Sequence, residues 1–286
     1  MIIFKNVSFK YNKKSKKNTL DNIDLTINDK DEFITILGHT GSGKSTLVQL
    51  MNALLLPDSG ELLVFGKTIK SKNNDKLSEI RKRVGLVFQF PEYQLFEETV
   101  LKDIIFGPVN FGKSKEEATE IAKSTCKLLG ISEDLYEKSP FNLSGGQMRR
   151  IAIAGILASE PDILILDEPT VGLDPKGRKE ILELLQKIQS ETHKSIILVT
   201  HDMNVVAKAS KRVLVMKDGK LIKDTTPREL FSNVSELKEM NLDLPDVSKL
   251  AIKLKEAGLI NYSELPLLKE ELLRIIKESK GDKQYE

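Results

Sequence analysis

Gly38-His39-Thr40-Gly41-Ser42-Gly43-Lys44-Ser45 satisfies the P-loop pattern G-x-x-x-x-G-K-[ST] at every fixed position. About one random chain in 100 of this length would carry such a match, so the flanking residues have to decide its meaning. Phosphate chemistry accounts for the spacing. Glycines let the backbone curl until successive N–H groups point inward, and a following helix adds the unpaired N–H groups of its first turn. A helix dipole contributes only about 0.3–2 kcal/mol toward an anion, so a point charge is needed as well. Lys44 supplies it for the β- and γ-phosphates of a nucleotide, and the Ser45 hydroxyl suits Mg²⁺.

A second group of reactive residues lies downstream. Ile163-Leu164-Ile165-Leu166 is a continuous apolar run that ends in Asp167-Glu168, the pattern of a buried parallel strand delivering two carboxylates to the edge of a sheet. There Asp167 can hold Mg²⁺ through its water shell, and Glu168 can orient and polarise an attacking water. Gln89 follows the apolar run 84–88 and can reach Mg²⁺ or a water from the same edge. His201 closes a further apolar run, 195–200; a lone histidine is more often structural, but this position favours the phosphate edge. Ser144-Gly145-Gly146-Gln147 opens an apolar helical run with a capping-box pattern. It reads equally well as an ordinary capped helix and as a second anion-binding helix terminus. Tyr11 is the nearest aromatic that can stack on a base, and packing at a strand end explains it equally well. Asp174 before Pro175 is fully explained as an N-cap.

Elements must position these residues. The alternation in 2–11, with Ile3, Val7 and Phe9 on one parity, and in 20–27, with Ile23, Leu25 and Ile27, predicts an antiparallel hairpin flanking the strand 33–37 that leads into the P-loop. Lys13-Lys14-Ser15-Lys16-Lys17 between them reads as a solvated hairpin tip. An amphipathic helix is expected over 45–56, stopped by Pro57, then a strand over 61–65, a polar loop with a short helix over 66–82, and a strand over 84–88. Residues 99–141 read as mostly helical, with a capping box at Ser114 and Glu117 and a stop at Gly130, a helical insertion in an α/β core. A helix from Pro175 to about Gln189, a hairpin around Asp218-Gly219, and a short helix from Thr226-Pro227 follow. From about residue 234, Leu/Lys/Glu patterns take over. Val247, Leu250, Leu254 and Ala257 form one helical stripe; Leu268, Leu272, Ile275 and Ile276 form another. Two short helices are not expected to bury both stripes alone, so they should dock on the core or on a second chain. Residues 278–286 are expected to fray.

Composition narrows the possibilities. With 44 Lys+Arg against 42 Asp+Glu in 286 residues, the net charge of +2 argues against a strongly electrostatic nucleic-acid binder. The single cysteine, Cys126, excludes an internal disulfide framework and suits a reducing compartment as a small buried hydrophobe. There is no run of about 18 apolar residues and no signal-peptide layout in Met1-Ile2-Ile3-Phe4-Lys5, so a soluble intracellular protein is expected.

The ordered set of P-loop, Gln89, Leu143-Ser144-Gly145-Gly146-Gln147, Asp167-Glu168, Asp174 and His201 resembles the ATP-binding cassette (ABC) ATPases over roughly residues 1–232. The resemblance implies an α/β fold: a P-loop NTPase (RecA-like) core with an antiparallel β subdomain and an inserted α-helical subdomain at about 92–158, plus a small C-terminal helical extension. The cassette would span 1–233, and a helical domain over 234–286 would serve dimerisation. It further implies ATP and Mg²⁺ as ligands. Phosphates would be held from Gly38 through Thr46, adenine by Tyr11, and metal by Ser45, Gln89 and Asp167. Catalysis would fall to Glu168, His201 and Lys44, and Ser144 to Gln147 with Asp174 would act across a dimer. The D-loop that holds Asp174 usually begins with a small polar residue, and Val171 stands near that place.

A narrower resemblance, to the ATPases of energy-coupling factor (ECF) transporters and best to their second paralogue, rests on Phe90-Pro91-Glu92-Tyr93-Gln94-Leu95-Phe96-Glu97-Glu98-Thr99-Val100, Phe106-Gly107-Pro108, Gly38-His39-Thr40 and Gln147-Met148-Arg149-Arg150-Ile151-Ala152. It implies a heterodimer with a second ABC ATPase, at the cytoplasmic face of the cell membrane. That dimer would sit on an ECF-type transmembrane coupling protein and, through it, a substrate-binding membrane protein, importing a vitamin or trace metal. A helix at 92–97 would pass motion to the membrane partner. The alternatives are the ATPase of a conventional ABC transporter, a soluble non-transport ABC ATPase, and a nucleotide sensor without turnover.

Overall fold

The computed structural model describes residues 1–14, 17–70 and 77–281. In chain order the elements are β1 (Ile2–Phe9), β2 (Leu20–Ile27), β3 (Phe33–Leu37), α1 (Lys44–Met51), β4 (Ser59–Val64), β5 (Lys67–Ile69), α2 (Ser78–Arg83), β6 (Val84–Val87), α3 (Val100–Asn110), α4 (Lys115–Leu129), α5 (Gly145–Leu157), β7 (Ile163–Asp167), α6 (Pro175–Thr192), β8 (Ser195–Val199), α7 (Met203–Ala209), β9 (Arg212–Lys217), β10 (Lys220–Thr225), α8 (Pro227–Ser232), α9 (Val234–Glu239), α10 (Asp246–Glu256) and α11 (Lys269–Gly281). They form two sheets, an antiparallel one ordered β2-β1-β4-β5 and a six-stranded one ordered β10-β9-β3-β8-β7-β6. In the second sheet every pairing from β9 to β6 is parallel and only the β9–β10 hairpin is antiparallel.

Strands buried on both faces read as unbroken apolar runs. Accordingly β3, β6, β7 and β8 are buried at every residue. One face of this sheet, with Ile34, Ile36, Ile165 and Ile197, packs with α1 against the antiparallel sheet. The other, with Leu164, Leu166, Ile196 and Leu198, packs against α3 to α6. Cys126 belongs to that second core, and burial pushes its thiol up to about 11. Ser114 with Glu117 and Ser144 with Gln147 close full capping boxes on α4 and α5, and Gly130 ends α4 in the left-handed region.

Several expectations need correction. The β1–β2 hairpin does not flank the P-loop strand: it belongs to the antiparallel sheet, and the neighbours of β3 are β8 and β9. Ile3 does not share a face with Val7 and Phe9. Asn6 adopts a positive φ of 50° and the register slips there, so Ile2 and Phe4 point inward before the irregularity and Val7 and Phe9 after it. Helix α1 stops at Met51 rather than 56, because Asn52 ends it and Ala53 turns left-handed. Part of the stretch expected to be loop is β5, an edge strand of only three residues. Pro91–Gln94 is a single 3₁₀ turn in place of a helix at 92–97. Of the Lys13–Lys17 cluster, residues 15 and 16 lie outside the described residues, and Lys13 pairs with Asp58.

The expected boundary near 233 falls between α8 and α9, and apolar packing continues across it. Leu237, Met240, Leu244 and Leu267 join Val213, Val215, Leu230 and Phe231 in one cluster. Helices α10 and α11 meet around Ala251, Ile260 and Leu272, but as expected they do not bury both stripes alone: Val247, Leu254, Ile275 and Ile276 are only partly buried there, and Ile252 and Leu267 dock on the core cluster instead. The stripe on α10 is rotated from the one expected: Ala251 is buried and Leu250 is 49% exposed. Helix α11 runs through residue 281, and residues 282–286, expected to fray, lie outside the described residues.

Candidate functional site

The parallel order of β3, β8, β7 and β6 brings four C-terminal strand ends to one edge, where open α/β sheets place their ligands. The P-loop leaves β3, Gln89 follows β6, Asp167 ends β7 and Glu168 follows it, and His201 comes after β8. One cleft of about 340 Å³ is lined by Tyr11, Thr40, Gly41, Gly43, Lys44, Ser45, Thr46, Gln89, Asp167 and Glu168, together with Thr19. An adjoining cleft contains Gly38, His39, Thr40, Lys44, Glu168 and His201.

Within the loop, Gly38 has φ +147° and Gly43 has φ +102°. A Cβ on Gly38 would collide with the Met216 carbonyl, and one on Gly43 would lie 3.0 Å from the Thr19 carbonyl, so both curvature and close packing require glycine here. Lys44 Nζ donates to the carbonyls of Gly38 at 2.8 Å and His39 at 3.0 Å, which centres the ammonium inside the loop. His39 Nδ1 contacts the Thr40 carbonyl at 2.8 Å. Burial lowers the Lys44 pKa, and the charges of Glu168 and Asp167 oppose that shift. Ser42 Oγ is buried and has no hydrogen-bond partner among the described residues.

Asp167 is buried, which raises its pKa, while a hydrogen bond from Ser45 and the Lys44 charge act against that. Among the described residues no three His, Cys, Asp or Glu side chains converge on a metal position. What Ser45 and Asp167 offer, with Gln89 on the same cleft, is a hard-oxygen set. It fits Mg²⁺, which keeps its waters and leans on one carboxylate and the substrate's phosphates. Glu168 sits at φ 51° with its N–H donating to the Val199 carbonyl at 3.0 Å. A non-glycine residue held in that region is a strained one, fixed by its surroundings. Its carboxylate meets His201 Nδ1 at 3.0 and 3.1 Å. Tyr11 is 61% exposed, its hydroxyl 3.3 Å from Thr46 Oγ1 and its ring edge-on to Phe9, so it both packs at the strand end and borders the cleft.

Two expected groups lie elsewhere. Ser144, Gly145, Gly146 and Gln147 are all exposed, line neither cleft, and a Cβ on either glycine would meet nothing within 4 Å. Asp174 caps α6, its Oδ1 accepting from Gly177 N at 2.7 Å, and it lines neither cleft.

One residue whose role the sequence left unassigned is Arg149 on α5, 3% exposed. Its guanidinium donates to both oxygens of Glu92 at 2.9 to 3.1 Å and to the carbonyls of Pro169 at 2.9 Å and Val171 at 2.8 Å. One cation thereby ties the 3₁₀ turn after Gln89, helix α5 and the segment after Glu168. The Arg149-Arg150 doublet was visible in the sequence, but nothing there indicated a partner 57 residues away. Removing one partner of a buried ion pair strands the other charge. Glu92→Ala is therefore expected to lower the unfolding free energy by about 3 kcal/mol, measured by urea denaturation. A loss under about 1 kcal/mol would mean that the two carbonyls satisfy Arg149 unaided.

P-loop, buried carboxylate strand, Gln89 and a histidine facing Glu168 converge on one sheet edge, with a glycine-led helix terminus exposed outside it. Residues 20–171 match the ABC transporter family, and the chain belongs to it: it is an ABC-type ATPase. More particularly, it is 54% identical over 251 residues to the energy-coupling factor transporter ATP-binding protein EcfA2 of Ligilactobacillus salivarius, covering 87% of each chain. To EcfA2 of Enterococcus faecalis it is 48% identical, covering 95% of this chain and 94% of that one. Among solved structures it is similar to cbiO1 of Clostridium perfringens, part of the ABC transporter complex cbiONQ (TM-score 0.74, 38% identity, 88% of this chain and 98% of that one). It is also similar to the dimeric post-hydrolysis state of the cassette MJ0796 bound to ADP and Pi (TM-score 0.69, 33% identity, 80% of this chain and 99% of that one).

Proposed function

We propose that this chain is the ATP-hydrolysing subunit of an ECF-type importer that takes up a vitamin or trace metal, working as a heterodimer with a second ABC ATPase at the cytoplasmic face of the membrane. The observation that carries the reading is the Glu168–His201 pair on the clefts that hold Lys44, Ser45 and Asp167. Loop N–H groups and Lys44 bind the β- and γ-phosphates, and Tyr11 stacks on adenine. Ser45, Asp167 and Gln89 would hold Mg²⁺, which when bound would supply charge neutralisation at the phosphates. Glu168 orients the attacking water and accepts its proton, and His201 holds that carboxylate in place. The exposed terminus at Ser144 to Gln147, together with Asp174, acts on the γ-phosphate of the partner subunit, so the dimer closes on ATP and opens after hydrolysis. The segment 234–286 contributes to dimerisation.

No helix among the described residues is long and apolar enough to cross a membrane, and a transmembrane coupling protein, joined to a substrate-binding membrane protein, provides the passage. Its docking site is the groove of about 360 Å³ that includes Leu54, Phe88, Gln94, Phe96 and Phe106. Phe96 and Phe106 expose apolar surface there, Phe90 and Tyr93 expose more around the turn that carries Gln94, and Arg149 ties that turn to α5, whose Ala152 and Ile156 also line the groove. Gln94 Oε1 accepts from Phe88 N at 3.1 Å and so holds the segment together. Gln94→Ala is expected to reduce capture of an ECF-type transmembrane protein at least about tenfold while ATP binding persists. Undiminished capture by that variant would sink the assignment of this groove.

A further inference from the structure

The C-terminal extension reaches the catalytic edge. Asn241, Leu242 and Asp243 line the same cleft as Lys44, Glu168 and His201. Just beyond them, the extension is bonded to the turn that carries His201. Asn204 Nδ2 donates to Asp246 Oδ2 at 2.9 Å, and Asp246 N donates to Asn204 Oδ1 at 2.9 Å. Asn204 is also bound to its own turn, its N–H donating to Asp202 Oδ1 at 2.9 Å, and Asp202 N donates to Thr200 Oγ1 at 3.2 Å. Apolar packing repeats the connection, because Met203 shares a cluster with Met240 and Leu244, and Leu242 packs against it. His201 itself has a side chain 72% exposed, and Glu168 is its hydrogen-bond partner. An exposed imidazole does not fix its own position, so the turn on which it stands does.

We propose that Asp246 and Asn204 are positioning residues: through their paired hydrogen bonds the extension sets the turn 201–204 and thereby holds His201 against Glu168. The proposal rests on the reading of Glu168 and His201 as the catalytic pair. Lys249, which pairs with Asp243 and stands 3.8 Å from Asp246, balances both carboxylates, of which Asp243 lines that cleft.

The geometry permits an exchange test. Asn204→Asp sets two carboxylates face to face. Adding Asp246→Asn restores both bonds, since the amide of residue 246 can donate to the new carboxylate while the backbone N–H of 246 keeps its acceptor. Asp246→Asn alone retains both bonds with its oxygen turned toward Asn204 Nδ2. ATP turnover by the full chain in its assembled dimer is therefore expected to fall about fivefold in kcat for Asn204→Asp, with KM for ATP within about twofold and an unchanged melting temperature. The single Asp246→Asn and the double exchange should both return to within about twofold of the unaltered protein. Full kcat in Asn204→Asp, or failure of the double exchange to recover it, overturns the proposal. His201→Ala, assayed beside these, separates the two ideas. Turnover retained there removes the catalytic reading and the proposal with it, whereas turnover lost there but intact in Asn204→Asp overturns the proposal alone.

Discussion

Glu168→Gln will bind ATP and barely hydrolyse it. The amide is nearly isosteric and can still accept from His201 Nδ1, so the turn at φ 51° and the cleft should survive the change. It cannot take a proton from water. General-base assistance is worth about 10²–10⁴ in rate, and the loss should fall in that range. The groups proposed to bind phosphate, Lys44, Ser45 and the loop N–H groups, are untouched, so nucleotide affinity should remain and the closed, ATP-bound dimer should accumulate. Phosphate release measures the first effect and size-exclusion chromatography with ATP the second. Hydrolysis within about tenfold of the unaltered protein would remove Glu168 from its role.

Lys44→Ala should instead fail at the binding step as well as in turnover. Its Nζ is held between two loop carbonyls, beside both carboxylates of the site. Without it Asp167 and Glu168 face the nucleotide's phosphates with no countercharge from the loop. A lost charge-stabilising donor at a phosphoryl site costs about 10²–10³ in rate, and affinity for ATP should fall with it. Lys44→Arg should not rescue, because a planar fork cannot replace a compact ammonium seated between the Gly38 and His39 carbonyls. ATP affinity equal to that of the unaltered chain, measured by titration calorimetry, would refute the loop's assignment.

The chemistry-bearing residues were legible because their spacing is local. The loop that curls around Lys44 is eight consecutive residues, and Asp167 ends the buried strand that Glu168 directly follows. Caps were legible for the same reason: Ser114 with Glu117 and Ser144 with Gln147 each meet within one turn. Local irregularities were not. The left-handed Asn6 that reverses the facing of β1 leaves no trace in an alternating pattern, and β5 is too short to show a period.

Residue types in sequence order established a nucleotide-binding α/β protein with a helical insertion and a helical tail, since apolar period and glycine placement constrain the backbone over a few residues at a time. Only the folded chain decided who meets whom at long range. The strand order set β8, not the N-terminal hairpin, beside β3, and Arg149 found Glu92. Rotation of α10 buried Ala251, and Asp246 came to rest on Asn204 next to His201. Such meetings depend on which surfaces the whole core can close together, and no window of neighbouring residues contains that information.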